Sequence, residues 1–199
     1  MSVTEENLKH RFVFTKSIDI SPLKVEGRRI IAGYANVSEI IDSQGDNVTK
    51  EALEKAWLKF SSNPDFMVSQ LFHTNIPIAK ILMTPIQDSD GVIHRSGVDD
   101  RGLYIVSEVR NDIKISDEVW DKIVKREIRG FSIGGEYLSK PTTECVNGKC
   151  HKRVDDIELH EVSIVANPAN KVALFTVLKD DSLSKLAELT NKISDKLIS

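Results

Sequence analysis

From residue 28 to residue 166 the chain is mostly a succession of short apolar runs, each closed by a polar or glycine-containing turn. Runs of this length build strands rather than long helices. They predict strands over residues 9–18 (Phe12 and Phe14 apolar), 28–37, 67–73, 78–85, 90–96, 102–109, 130–138 and 157–166. Pro77 separates the third and fourth, and Asp99, Asp100 and Gly102 form a turn between the fifth and sixth. Two amphipathic helices interrupt the pattern. Thr49 is placed to cap one with Ala52, Leu53, Ala56, Trp57 and Phe60 on its apolar face, and Ser116 to cap another with Val119, Trp120, Ile123 and Val124. The fold class this implies is mainly β or α+β, with a barrel-like sheet.

The 199 residues suffice for one domain with a full core, or one domain and a tail. Lys and Arg number 27 against 30 Asp and Glu, a net charge of −3, which gives no electrostatic reason to expect nucleic acid or membrane binding. No apolar run reaches the roughly 18 residues of a membrane span. Met1 to His10 is polar and lacks a signal-peptide core, so a cytoplasmic protein is expected. The expected division is a domain over 1–178 and an amphipathic helix over 179–199, with Leu183, Leu186, Leu189, Ile193 and Leu197 three or four apart. That helix can pack on its own domain or pair with a second copy or partner.

Cys145 and Cys150 flank Asn147-Gly148, a strong hairpin signal that places them opposite each other. A disulfide has the reach to form, but in a reducing cytoplasm two thiols are expected. With His151 they make an incomplete metal set lacking a fourth ligand, so a plain surface hairpin is the leading reading and a metal or thiol module its rival.

The chemistry-bearing residues lie in three segments. Arg129-Gly130-Phe131-Ser132-Ile133-Gly134-Gly135 sets a serine among glycines inside an apparent buried strand, where a substrate backbone could approach closely. Serine needs a base to act as a nucleophile, and the base needs a group to hold its tautomer. Of five histidines, His73 stands at the end of an apolar strand opening into a loop, rigid on one side and accessible on the other. A lone histidine there is more often structural. In Ile157–Asn170, strand alternation puts Glu161, Ser163 and Val165 on one face and His160, Val162 and Ile164 on the other. A charged side chain in an apolar strand is costly unless paired, which favours an ion-paired or functional role for Glu161 or His160. Glu161 and Ser163 point together, as do Ser132 and Gly134. If their strands are neighbours, Glu161 reaches His73 and His73 reaches Ser132.

These segments resemble the prohead serine proteases of tailed phages, the capsid-maturation peptidases similar in fold to the herpesvirus protease assemblin. The resemblance lies in Gln70-Leu71-Phe72-His73 before Pro77-Ile78-Ala79-Lys80-Ile81, in Gly102–Val106, in the helix around Val119–Val124, in the Ser132 run, and above all in Leu159–Val165 with Asn167-Pro168-Ala169-Asn170. Ala32–Val37 with Asp42–Asp46 also fits, and is closest to the branch found in defective prophages of Gram-positive bacteria. The resemblance covers roughly residues 28–175 and implies an assemblin-like β-barrel with flanking helices. It implies His73 as general base, Ser132 as nucleophile and Glu161 as third member, with His160 the alternative, and oxyanion donors from the backbone near Ala169 and Asn170. It further implies scaffold and major capsid precursor proteins as substrates inside the procapsid, a homodimer or higher oligomer, and neither cofactor nor metal. The alternative is a catalytically inactive capsid-assembly or scaffold protein on the same fold.

Overall fold

The structure is a computed structural model, which describes residues 21–25, 27–146 and 148–179. The strand expected over 9–18 and the helix expected over 181–199 lie outside the described residues. In chain order the elements are β1 (Leu23–Lys24), β2 (Ile30–Val37), β3 (Asp46–Val48), α1 (Lys50–Ser61), a 3₁₀ turn (Pro64–Phe66), β4 (Val68–Leu71) and β5 (Pro77–Ile81). Then come β6 (Ile86–Gln87), β7 (Ile93–His94), β8 (Gly97–Val98), β9 (Gly102–Val109), α2 (Ser116–Val124), β10 (Gly130–Tyr137), β11 (Thr142–Val146), β12 (Lys149–Val154), β13 (Ile157–Val165) and β14 (Phe175–Val177). The expected mainly β, α+β fold is what the chain adopts.

The principal sheet runs in the order β10-β13-β4-β5-β9-β2-β14, with β8 added to β9. Its pairs are antiparallel except β13 with β4, which is parallel. The sheet curls until its two edges touch. Gly130 bridges Leu174, the Phe131 N–H donates to the Ala173 carbonyl (3.1 Å), and the Phe175 N–H donates to the Arg129 carbonyl (3.0 Å). The seating of β14 on β2 depends on Gly33, because a Cβ there would lie 2.2 Å from the Leu174 carbonyl oxygen.

Residues of β2 are buried on both faces, which explains its near-continuous apolar run. Ile31 and Ala35 join the main core, and Ile30 and Ala32 join a smaller one with Val25, Leu82, Ile86, Val106 and Leu178. The main core gathers Leu103 and Ile105 of β9, Phe131 of β10, and the α1 face Ala52, Leu53, Ala56, Trp57 and Phe60. This is the predicted α1 face, and the Thr49 hydroxyl accepts the Ala52 N–H (3.3 Å) as predicted.

Helix α2 departs from expectation. Ser116 is its first residue rather than its cap, Ile115 holds the cap position, and the Ser116 hydroxyl is buried with no partner among the described residues. The entering chain has helical dihedrals at Ile115, so the extended backbone a serine cap requires is absent. Val119 and Ile123 are buried as predicted, but Val124 faces solvent, since the helix ends there.

The hairpin β11–β12 pairs Cys145 with Cys150 as predicted, and β12 continues onto β3. Where thiols were expected there is a disulfide, because the hairpin register sets the two cysteines directly opposite each other, their Cα atoms 4.0 Å apart. Both sulfurs are thereby withdrawn from any thiolate metal site. Asp46 ties this hairpin to the main sheet, accepting from Tyr137 Oη (2.5 Å) and Lys152 Nζ (3.0 Å).

One irregularity positions everything that follows. Gly134 pairs with Glu161 while Gly135 pairs with Leu159, so His160 is an extra residue in β13. This β-bulge reverses the parity of the strand. Ile157 and Leu159 face the main core before it, Val162 and Ile164 after it. Glu161 and Ser163 therefore share the opposite face.

Candidate active site

Three adjacent strands, β10, β13 and β4, bring the site together. On β10, Phe131 and Ile133 turn into the main core, which sends Ser132 and Gly134 to the other face. Ser132 lies directly opposite Ser163, and Gly134 opposite Glu161. Directly paired residues share a face, so Ser132, Gly134, Glu161 and Ser163 form one patch.

His73 follows the end of β4 in a tight turn. The Thr74 N–H and hydroxyl both donate to the Leu71 carbonyl, and the Leu71 N–H takes the Ile76 carbonyl. Phe72 and His73 have φ of 51° and 57°, a left-handed conformation that non-glycine residues rarely adopt in succession. Strand β13 anchors both. The Phe72 N–H donates to the Ile164 carbonyl and the His73 N–H to Ser163 Oγ, each at 3.1 Å. The turn folds the imidazole back over β13.

There His73 Nδ1 meets Glu161 Oε1 at 2.5 Å. The other carboxylate oxygen accepts from Ser163 Oγ (3.2 Å) and from the Gln70 side-chain amide (2.5 Å), whose orientation follows from the acceptors around it. The Glu161 side chain is 16% exposed and the His73 side chain 44%. An ionised carboxylate can only accept, so Nδ1 is the donor of this bond, and in the neutral ring Nε2 is then an acceptor. Glu161 leans across β10 over Gly134, since Oε1 is 2.5 Å from the point a Gly134 Cβ would occupy. Same-face neighbours on a strand stand roughly 7 Å apart, so the carboxylate over Gly134 lies about one such step from Ser132. Ser132 is 5% exposed, and its hydroxyl makes no hydrogen bond among the described residues.

His160 stays out of this group. It points to solvent, its Nε2 3.9 Å from Glu136 Oε1. His160, Glu136 and Glu158 bring their ligand atoms within 4.8 Å of one another, but Glu158 is engaged by Lys59. The group is largely solvent-exposed.

The segment after β13 crosses the start of β10. Arg129 Nε donates to the Ala166 carbonyl (3.2 Å), and the Pro168 ring lies 2.8 Å from the position a Cβ would take on Gly130, two residues before Ser132. The Ala169 carbonyl accepts the Ser43 N–H (3.0 Å), and Asn170 Nδ2 donates to the Val37 carbonyl (2.9 Å). Among the described residues, the backbone N–H groups of Ala169 and Asn170 donate to no acceptor.

The sequence-predicted His73 and Glu161 are thus in direct contact, and Ser132 lies on the same face, opposite Ser163 and one same-face step from the Gly134–Glu161 pair. Sequence reasoning assigned no role to Ser163, Gln70 or Gly134. The available signal was their shared face: polar or side-chain-free positions in otherwise apolar strands.

The family model described as caudovirus prohead serine protease matches residues 16–187. No curated protein matches the chain. Among solved structures, the capsid assembly protease of bacteriophage T4 is similar, with 14% sequence identity and a TM-score of 0.47, over 67% of this chain and 80% of that one.

Proposed function

The chain belongs to the caudovirus prohead serine protease family, and from that premise we propose that it is an active serine endopeptidase of capsid maturation, with Ser132 as nucleophile, His73 as general base and Glu161 as the group that orients the base. The observation that carries the reading is the 2.5 Å contact of His73 Nδ1 with Glu161, made on the strand face that also bears Ser132.

The reaction follows from the tautomer. Nδ1–H held by the carboxylate leaves the Nε2 lone pair to take the Ser132 proton as Oγ attacks the scissile carbonyl carbon. Glu161 stabilises the imidazolium that results. The carbonyl oxygen becomes an oxyanion, for which the unengaged N–H groups of Ala169 and Asn170 are the proposed donors; backbone donors suit the task because they are fixed before charge develops. The imidazolium returns its proton to the leaving amine, and the acyl-enzyme forms. Water, deprotonated by His73, then releases the acid and restores Ser132. No step calls for a metal or organic cofactor.

The proposed substrates are scaffold and major capsid precursor proteins within the procapsid in the host cytoplasm, and the proposed unit is a homodimer or higher oligomer. Residues 179–199 are proposed as the partner-contacting helix, beyond the domain over 1–178. No helix among the described residues is long and apolar enough to cross a membrane. The test is incubation with a fluorophosphonate and peptide mass mapping. One adduct on Ser132, abolished in His73→Ala, is expected. Labelling elsewhere, or none while capsid proteins are being processed, overturns the mechanism.

A second reading has one observation in its favour: Ser132 Oγ is not hydrogen-bonded to His73 among the described residues. On that reading the chain is an inactive capsid-assembly or scaffold protein. Catalytic hydrogen bonds often tighten only when substrate is bound, so the gap does not decide against activity. Fully processed capsids from Ser132→Ala would establish the inactive reading.

A further inference from the structure

We infer that Gly134 and Ser163 are positioning residues. Gly134 leaves the space in which the Glu161 carboxylate lies, and Ser163 locks that carboxylate to the backbone of His73. The inference rests on the roles proposed above for His73, Ser132 and Glu161.

An ideal Cβ on Gly134 would stand 2.5 Å from Glu161 Oε1, 2.8 Å from its Cγ and 3.0 Å from its Cδ. These are the atoms of one side chain, not backbone. The fold itself does not require glycine at 134: its φ lies outside the left-handed region that excludes other residues. An alanine there is compatible with the strand and incompatible with the carboxylate where it stands. Glu161 cannot yield freely, because His73, Ser163 and Gln70 all hold its oxygens. Any displacement breaks the contact that sets the His73 tautomer. The His160 bulge completes the arrangement, since it is what brings Glu161 opposite Gly134.

Ser163 is fully buried, and its hydroxyl uses its donor and one acceptor site on this network. It donates to Glu161 Oε2 and accepts the His73 N–H. With Gln70 also on Oε2, Oε1 is left for Nδ1. One hydroxyl thus fixes the carboxylate and pins the left-handed turn that carries the ring. Both residues act through Glu161 and His73 rather than on substrate.

The experiment is a double-mutant cycle read by the rate of fluorophosphonate labelling at Ser132. Gly134→Ala is expected to retain the wild-type thermal melt yet label about 10²-fold more slowly, the scale of an ångström-level misplacement. In a Glu161→Ala background the same substitution is expected to change nothing further, because its only route of action has gone. Ser163→Ala is expected to be partly non-additive with Glu161→Ala: the share of its effect that passes through the carboxylate disappears, and the share that comes from the His73 N–H stays. Wild-type labelling rates, or effects that multiply, overturn the inference. The ring-nitrogen chemical shifts of His73 give a readout that does not need activity. The Nδ1–H tautomer is expected in the wild type and its loss in Gly134→Ala. If Ser132 never labels but the tautomer changes, the protease reading fails and the positioning inference stands. An unchanged tautomer overturns the inference whatever Ser132 does.

Discussion

His160 and Glu161 are neighbours with opposite surroundings. The bulge turns the imidazole of His160 to solvent beside Glu136, while the carboxylate of Glu161 is largely enclosed and held by His73, Ser163 and Gln70. The two substitutions therefore separate. His160→Ala is expected to leave the Ser132 labelling rate within about twofold of wild type, as for surface changes remote from a site. Glu161→Gln keeps the shape but gives Nδ1 an amide that can impose the wrong tautomer. It is expected to slow labelling by roughly 10²- to 10⁴-fold, the upper figure being that of the corresponding acid-to-amide change in a serine protease triad. Equal effects for the two would show that the base is not oriented by Glu161. From the sequence, either residue was a candidate third member, because both interrupt an apolar strand. Strict alternation separates their faces but cannot say which face is the core until the bulge is seen.

Helix starts offer the same kind of test at the level of elements. Thr49 and Ser116 look alike as caps in the sequence, yet only Thr49 makes the bond. Thr49 also donates to the Val154 carbonyl (3.4 Å), joining α1 to the hairpin strand β12. Thr49→Ala is expected to cost about 1 kcal/mol in urea unfolding, the usual loss for a cap. Ser116→Ala is expected to be neutral or mildly stabilising, because it removes a buried hydroxyl that has no partner among the described residues. A Ser116→Ala loss as large as that at Thr49 would mean that Ser116 caps after all. The apolar faces of both helices were legible in their 3.6-residue spacing. What the spacing could not reveal was the backbone of Ile115, which depends on how the chain leaves β9.

Across the whole molecule the curled sheet is clamped at the β2–β9 pair, where Arg28 meets Glu108 with two of its guanidinium nitrogens, Nε at 2.8 Å and Nη2 at 2.7 Å. The hydrogen bond from Arg28 holds the Glu108 carboxyl below its usual value of 4.5. A carboxyl depressed in the folded state stabilises fully above the unfolded value and loses that contribution as pH falls through the folded one. Glu108→Gln is accordingly expected to lower the melting temperature at pH 7, with the gap to wild type closing as the pH falls well below 4.5. A gap that persists unchanged in acid would assign the loss to packing rather than charge. The sequence by itself determined the longer elements, the strands β2, β4, β5, β9, β10 and β13 and the two helices, because strand alternation, helix faces and the Thr49 cap are interactions within a few residues; the short β3 and β14 carry no such local pattern. It also singled out Ser132, His73 and Glu161 as candidates, because a serine among glycines, a histidine at a strand end and a carboxylate in an apolar strand each stand out locally. Tertiary structure alone decided the parity change at His160, the closure of β10 against the segment before β14, the disulfide, and the space over Gly134. Each of these is set by the register between strands distant in the chain, and a one-residue shift in register moves a side chain from one face of a sheet to the other.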